Sequence, residues 1–363
     1  MTDEQNRRLS QPVLSRISGL ELARIALIVT TVAMAVVGLG LLLWKASNVV
    51  LLVFGAVLFA IFLLSIGGWI ASHTRMGKRM GVVTTIVLLA GLLGAGAYLL
   101  APRLADQFDE LSRTIPSSVE QLRTQLEQYE WGQWLMARLP DAEQLMSPSA
   151  AAKRAGVFFS SLFGAVTAIL VVLFAGVFMA VNPGVYRGGI IRMVPPARRS
   201  RADEILIALE STMAWWLVGR FFEMIVVGSL TWLGLTLLDV PLALTLGLIA
   251  GLLSFIPYLG PILSAVPAIL LALTIDPSKA WHVVILYVAI QAVESNLITP
   301  LIEKKTVWLP PALTIVMQVL FGVLFGPLGV LFATPVTATF LVLVKMLYVE
   351  DLLGEDVEVS RAI

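Results

Sequence analysis

Two apolar stretches near the end of the chain repeat one pattern. The first begins Pro241-Leu-Ala-Leu-Thr245 and reaches Leu259-Gly260, and the second begins Pro310-Pro-Ala-Leu-Thr314 and reaches Leu328-Gly329. When Pro241 is aligned with Pro310, the Ala-Leu-Thr and Leu-Gly pairs fall at the same offsets without a gap. The pattern therefore predicts two structurally equivalent segments.

Each copy is broken at a corresponding place, the first at Pro257-Tyr258 and the second at Gly326-Pro327. The segment before each break holds only about 13 apolar residues, whereas a helix needs roughly 20 to cross a bilayer. Short apolar segments interrupted by Gly and Pro at matching positions indicate the binding site of a transporter. We therefore expect two re-entrant or broken-helix hairpins, although a pair of thin spans is an alternative for either one.

The composition restricts the fold class. Hydrophobic residues make up 58% of the chain and charged residues 13%, whereas a soluble domain carries about 25% charged residues. These values predict an all-α, polytopic helical membrane protein that has the lipid bilayer as its surroundings.

The sequence also argues against enzyme chemistry. It has no cysteine and two distant histidines, so a Cys-ligated metal site is excluded and a zinc site is not expected. No His-Glu-x-x-His, Gly-x-Ser-x-Gly or Lys-Ser/Thr nucleotide loop occurs. We expect no catalytic residues, no metal and no cofactor, and therefore transport driven by a gradient.

Basic residues predict the orientation. The sequence predicts four spans, which are Leu22–Trp44, Val49–Ile70, Gly81–Leu100 and Gly156–Val181. Three arginine- or lysine-rich segments, one before the first span, one after the second and one after the fourth, then lie on the same side. The positive-inside rule then places the N-terminus and these links in the cytoplasm. The two hairpins enter from opposite faces in this topology, which is the inverted-repeat plan of many secondary transporters.

The chain divides into five predicted parts. They are an N-terminal tail with three spans (1–100), an extracytoplasmic helical segment (101–155), a part with the fourth span, the basic link and the fifth span (156–238), a hairpin-rich transport core (239–348) and an acidic tail (349–363).

The extracytoplasmic segment carries an apolar stripe. Val119, Leu122, Leu126 and Tyr129 recur at helical spacing, and Pro116 is a suitable helix start. An amphipathic helix that lies on the membrane or on the rest of the protein is the simpler interpretation. A contact between subunits of an oligomer is the alternative.

Candidate site residues lie at the breaks and in one span. We expect the substrate or ion pathway at the hairpin tips, where Pro257, Gly260 and Pro261 face Gly326, Pro327 and Gly329. Glu294 lies in an apolar span with Asn296 nearby, and an acid at membrane depth typically faces a cavity or proton path. Gln318 is the next polar candidate. The structural alternatives are kinks and close packing for the Gly and Pro residues and a bridge between helices for Gln318.

A second charged pair has a simpler interpretation. Arg220 and Glu223 lie one helical turn apart near the inner end of the fifth span. Such a pair is most simply a snorkelling pair at the membrane interface.

Four motifs in order resemble the autoinducer-2 exporter family of bacterial membrane proteins. They are Ser254–Pro261 with Pro267-Ala268, Glu294–Pro300, Gly326–Pro335 and Tyr348–Gly354. The resemblance points to Pro257, Gly260, Pro261, Glu294, Asn296 and Pro300 as functional positions. It implies a protein of the bacterial inner membrane that forms a homo-oligomer, with a pentamer as the first expectation, and that has no nucleic-acid partner.

The resemblance and the residues leave three hypotheses. The first is a proton-driven exporter of a small polar molecule, autoinducer-2 or a relative, in which Glu294 carries the proton. The second is a sodium or lithium/proton antiporter with Glu294 and Asn296 as ion ligands. The third is a membrane scaffold that acts through the outer helix and does not transport.

Overall fold

The described part of the chain is almost entirely helical. A computed structural model describes residues 24, 27–34, 38, 45–127, 167–303 and 308–355, and no strand occurs among them. Five helices are long and apolar enough to cross a membrane, or six if one bent pair is counted as a single span. The protein is therefore an all-α, polytopic membrane protein, as the composition predicted. Residues 1–50 and 51–363 form two compact units.

Nine α-helices of ten or more residues lie in the described part. They are α1 (Ser47–His73), α2 (Lys78–Glu127), α3 (Thr167–Val181), α4 (Pro183–Arg192), α5 (Arg199–Leu237), α6 (Ala243–Leu253), α7 (Leu259–Ile275), α8 (Pro277–Val293) and α9 (Pro311–Leu343). Helix α8 continues as a π-helix, Glu294–Ile298, and a short α-helix, Thr299–Glu303. Helix α9 ends in a second π-helix, Val344–Glu350. The predicted first span lies mostly outside the described residues.

The structure contradicts the helix start that the sequence predicted within α2. It runs without interruption from Lys78 to Glu127, so the helix does not begin at Pro116, as the sequence pattern predicted. The stretch after Leu100 is rich in Ala, Leu, Arg, Gln and Glu, which are strong helix formers and continue the helix beyond the apolar span. At 1.5 Å per residue, the helix is about 75 Å long, more than twice the hydrocarbon thickness. Residues 128–166 and their share of the apolar stripe lie outside the described residues.

Helix α5 connects the two halves of the second unit through its apolar side chains. Near its C-terminal end, Leu235 packs with Leu246 of α6, Ala272 of α7 and Val283 of α8. Nearer its middle, Trp216 and Leu217 pack with α1 and α9 in a cluster that includes Phe62 and Phe332. The helix thus packs on the first hairpin near its C-terminal end and on the second hairpin nearer its middle.

Helices α6 and α7 form the first predicted hairpin. They hold 11 and 17 residues, or about 16 and 26 Å, each less than the roughly 30 Å hydrocarbon core. The two ends of the hairpin meet, because the Nζ of Lys279 donates to the backbone oxygen of Asp239 at 3.3 Å. Ends that meet at one side fit both the predicted re-entrant arrangement and the alternative pair of thin spans.

Helix α9 contains the second hairpin. Gly326 has φ 66° and ψ −152° and interrupts the helix, in a region of backbone conformation that is essentially restricted to glycine. The arm after the break continues to Glu350, and Arg201 at the start of α5 forms ion pairs with Glu350 and Asp351 at 3.0 and 2.9 Å. These ion pairs fasten the end of the hairpin to the basic link.

Equivalent glycines close both hairpins, as the repeated pattern predicted. A Cβ atom at Gly260 would lie 1.9 Å from the backbone oxygen of Leu253, and one at Gly329 would lie 2.0 Å from that of Phe321. Both residues occupy the same offset in the two copies. Each hairpin therefore needs a glycine where the returning arm crosses the backbone of the first arm. Entry of the hairpins from opposite membrane faces stays a prediction.

Candidate functional site

A cavity lies where α5, the tip of the first hairpin, the end of α8 and the start of α9 meet. Its volume is about 360 Å³, within the roughly 300–1,000 Å³ typical of small-molecule sites. Its described lining comprises Trp216, Arg220, Glu223, Pro257, Tyr258, Gln291, Glu294, Ser295, Thr299, Ile302, Trp308, Leu309, Pro311, Thr314 and Thr334. It therefore combines an ionisable wall with aromatic and hydroxyl-bearing walls.

The π-helix positions Glu294. The helix widens from Glu294 to Ile298, and π-turns inside α-helices frequently occur at functional sites. Glu294 is buried and faces the cavity, whereas Asn296 is exposed and donates to the backbone oxygen of Ala292 at 2.8 Å. The Oε2 atom of Glu294 is buried without a hydrogen-bond partner among the described residues. The carboxyl group is thus available to a ligand or a proton.

Glu223 and Arg220 of α5 complete an ionisable group with Glu294. The Nη1 atom of Arg220 donates to both carboxyl oxygens of Glu223, at 2.6 and 2.7 Å. Only 1% of the Glu223 side chain is exposed. Glu294 is also buried and lines the same cavity. The two carboxyl groups and the guanidinium therefore form one ionisable group in the cavity wall.

The charge of this group depends on whether one of its carboxyl groups is protonated. One guanidinium and two carboxyl groups are neutral together when one carboxyl is protonated and carry one negative charge when both are ionised. An uncompensated charge is costly away from water. Arg220 is held over the ring of Trp216 at 5.7 Å, which adds a cation–π contact to the ion pair. Loss of the proton thus favours its replacement by another cation or a change in the cavity.

Gln318 connects the two hairpins next to the cavity. Its Nε2 atom donates to the backbone oxygen of Pro257 at 2.9 Å. The side chain is fully buried, and its Oε1 atom has no hydrogen-bond partner among the described residues. The tip of the first hairpin therefore rests on the first arm of the second hairpin and leaves one amide oxygen available.

The predicted site residues separate into two groups. Pro257 and Glu294 line the cavity, and Gln318 contacts Pro257. The described lining contains none of the other predicted residues, which are Gly260, Pro261, Gly326, Pro327 and Gly329 at the tips and Asn296 and Pro300 on the exposed side of α8. The tip of the first hairpin contacts the first arm of the second, because Gln318, eight residues before the second break, donates to Pro257. The functional roles of all these residues stay predictions.

Sequence reasoning missed Arg220 and Glu223 as site residues. The pair was interpreted as an interface pair, whereas the structure places both in the cavity wall. A signal was present, because Glu223 is flanked by Phe221-Phe222 and by Met224–Val227. An acid inside such an apolar run needs a buried partner.

The ion pair should dominate the stability of this region. Replacement of Arg220 by methionine leaves the buried Glu223 without its partner, and we expect a loss of about 3 kcal/mol. The double variant Arg220→Met/Glu223→Leu should recover most of this loss, because an apolar pair can replace a buried ion pair at little cost. Thermal unfolding in detergent measures both, with the exposed Arg192→Met as the charge-matched control. Equal destabilisation of the single and the double variant would contradict the assignment.

Comparison with known proteins gives the family. The family described as AI-2E family transporter matches residues 26–348. YueF of Bacillus subtilis (strain 168) is 25% identical over 277 residues, which cover 73% of this chain and 75% of YueF. The AI-2 transport protein TqsA of Escherichia coli (strain K12) is 26% identical over 290 residues, or 77% of this chain and 82% of TqsA. The resemblance found in the four motifs is thereby confirmed.

Proposed function

Because this chain belongs to the AI-2E transporter family, we propose that it is a secondary transporter that exports a small polar organic molecule, autoinducer-2 or a related signal or metabolite, in exchange for protons. The observation that carries the proposal is the buried carboxyl pair of Glu223 and Glu294 beside Arg220 in the cavity wall. The name of the relative TqsA, an AI-2 transport protein, supports the substrate class.

In the proposed cycle, the cavity binds a proton in one step and the polar substrate in another. In the protonated state the ionisable group is neutral, so the cavity can change its access to the two sides of the membrane without moving an uncompensated charge. The polar substrate would bind between the hydroxyl groups of Thr314 and Thr334, with Trp216 and Trp308 against its carbon skeleton. Coupling arises because the substrate and the proton use the same small space.

The proposal also includes the location and the assembly of the protein. We place the protein in the bacterial inner membrane as a multi-pass protein with a cytoplasmic N-terminus, supported by the distribution of Arg and Lys. A homo-oligomer, with a pentamer as the first candidate, is proposed on the family resemblance alone.

A monovalent cation/proton antiporter is the second candidate function. It is favoured by two buried oxygen atoms without a hydrogen-bond partner among the described residues, Oε2 of Glu294 and Oε1 of Gln318. The described residues contain no cluster of three His, Cys, Asp or Glu side chains that could hold a metal ion. A sodium or lithium ion would therefore be bound by the carboxylates together with neutral oxygen atoms.

Liposomes with a trapped pH dye test the two functions. We expect the purified, reconstituted protein to move protons in response to an autoinducer-2 gradient and to stay silent under sodium or lithium gradients. Proton movement in response to a sodium or lithium gradient would support the antiporter and contradict the exporter. If neither gradient moves protons through correctly inserted protein, both candidates are wrong. The Glu204→Gln variant, changed at an exposed acid of the same helix, controls for loss of an acid elsewhere on α5.

A further inference from the structure

A second cavity lies on the side of the molecule that carries the basic links. Its volume is about 720 Å³. Its described lining comprises Leu64, Gly68, Lys78, Arg79, Val82, Ala180, Val181, Asn182, Pro183, Gly184, Val185, Arg187 and Glu210. None of these residues lines the carboxyl-bearing cavity, so this second cavity is distinct from the proposed transport site.

The base of the second cavity is apolar and tightly packed. Ala60 and Leu63 of α1, Val82 of α2 and Ala180 of α3 form one buried cluster. Helices α1 and α2 approach closely there, because a Cβ atom at Gly67 would lie 2.8 Å from the backbone of Val82. The three helices thus form an apolar floor, and Leu64 of α1, Val181 of α3 and Val185 of α4 line the cavity.

The rim of the cavity is basic. Lys78 and Arg79 are exposed and form no ion pair with any described residue. Arg187 pairs with Asp203 at 2.7 Å, and its side chain remains 37% exposed. Glu210 is the one acid in the described lining. With Asp203 included, three positive and two negative charges leave the rim with a net positive charge.

Two features indicate that the cavity lies at a membrane interface. Helix α3 has the apolar composition of a span, and the chain bends by 84° between α3 and α4, so that α4 would lie nearly parallel to the membrane plane when α3 crosses along the normal. Trp69 and Tyr186, the neighbours of Gly68 and Val185 in the sequence, are 63% and 43% exposed. Exposed Trp and Tyr side chains are typical of the interface between lipid and water.

We propose that this cavity binds one anionic phospholipid, with its phosphate against Lys78, Arg79 and Arg187 and its acyl chains along Leu64, Val181 and Val185. An apolar floor below a basic rim at the interface matches both halves of such a lipid. Basic pockets between transmembrane helices on the cytoplasmic side bind anionic headgroups in this way. A soluble anion would use the rim and leave the apolar floor without a partner.

Native mass spectrometry of the purified protein, titrated with phosphatidylglycerol or phosphatidylcholine of the same acyl chains, tests the proposal. Each basic side chain near an anionic lipid contributes about 1 kcal/mol, so Lys78→Ala/Arg79→Ala should weaken phosphatidylglycerol binding about 30-fold. The control Arg192→Ala/Arg198→Ala removes the same charge outside the described lining and should change binding less than about twofold.

A second variant fills the cavity without changing its charge. A Cβ atom at Gly68 meets nothing within 4 Å, and leucine is a better helix former than glycine. Gly68→Leu should therefore fold normally and lose phosphatidylglycerol binding. Equal binding of the two lipids, equal weakening by the control pair, or unchanged binding in Gly68→Leu would overturn the proposal. Displacement of phosphatidylglycerol by micromolar glycerol 3-phosphate would identify a soluble phosphate ligand instead.

Discussion

Glutamine at either Glu223 or Glu294 is expected to abolish proton-coupled transport while the folded protein remains in the membrane. Glutamine preserves the size of the side chain and its capacity for hydrogen bonds, but it cannot gain or lose the proton that the proposed cycle needs. We expect the coupled flux in proteoliposomes to fall at least about 100-fold, the scale on which removal of a proton-transferring group acts.

The two substitutions should not add. In the proposed cycle the two carboxyl groups act with Arg220 as one proton-holding unit, so the double variant Glu223→Gln/Glu294→Gln should transport no worse than either single variant. Glu204→Gln, at an exposed position of the same helix, should retain the flux of the unmodified protein. Coupled transport that persists in either single variant would remove the carboxyl pair from the mechanism and leave the cavity as a passive feature.

The hairpin glycines should tolerate no side chain. A Cβ atom at Gly260 or Gly329 would overlap a backbone oxygen at 1.9 or 2.0 Å, and a main-chain atom cannot move aside as a flexible side chain can. We expect Gly260→Ala and Gly329→Ala each to cost about 3 kcal/mol, at the upper end for overpacked substitutions. Thermal unfolding of the purified variants in detergent provides the measurement.

Two further glycines separate the possible causes of such a loss. A Cβ atom added at Gly94 of α2 would meet nothing within 4 Å, so Gly94→Ala should be neutral or stabilising, by up to about 1 kcal/mol. Gly326 also has free space, but its φ is 66°, so Gly326→Ala should cost about 1–3 kcal/mol through backbone strain alone. If Gly260→Ala and Gly94→Ala unfold at the same temperature, the close crossing of the hairpin arms is wrong.

The hairpins could be predicted because their signal is local. Each depends on a helix that is too short to span, a Pro- or Gly-containing break and a glycine at one offset, and such features act within about 20 residues. The same holds for the spans, since hydropathy alone sets their approximate limits. Glu294 was found for a similar reason, because an acid in an apolar run is conspicuous.

The partners across the cavity could not be predicted. Glu223 and Glu294 are 71 residues apart in the sequence, and only the packing of α5 against α8 brings them together. Arg220 and Glu223 resemble an ordinary i,i+3 surface pair until their burial is known. Similarly, Gln318 contacts Pro257 although it lies eight residues before the second break, whereas the aligned repeats predicted contacts between equivalent tips. Relative displacement of two packed elements has no signal in a single sequence.

The length of α2 gives the surrounding bilayer an influence on the transport core. The helix begins at Lys78, crosses the apolar region and continues to Gln107, where the hydroxyl group of Thr245 donates to its side-chain oxygen at the mouth of the first hairpin. Transmembrane helices adjust to a thicker or thinner bilayer by changing their tilt. Over the roughly 44 Å between these two residues, a tilt of a few degrees displaces Gln107 by several ångströms relative to Lys78. We therefore expect the thickness of the membrane to change the position of Gln107 relative to the entrance of the first hairpin.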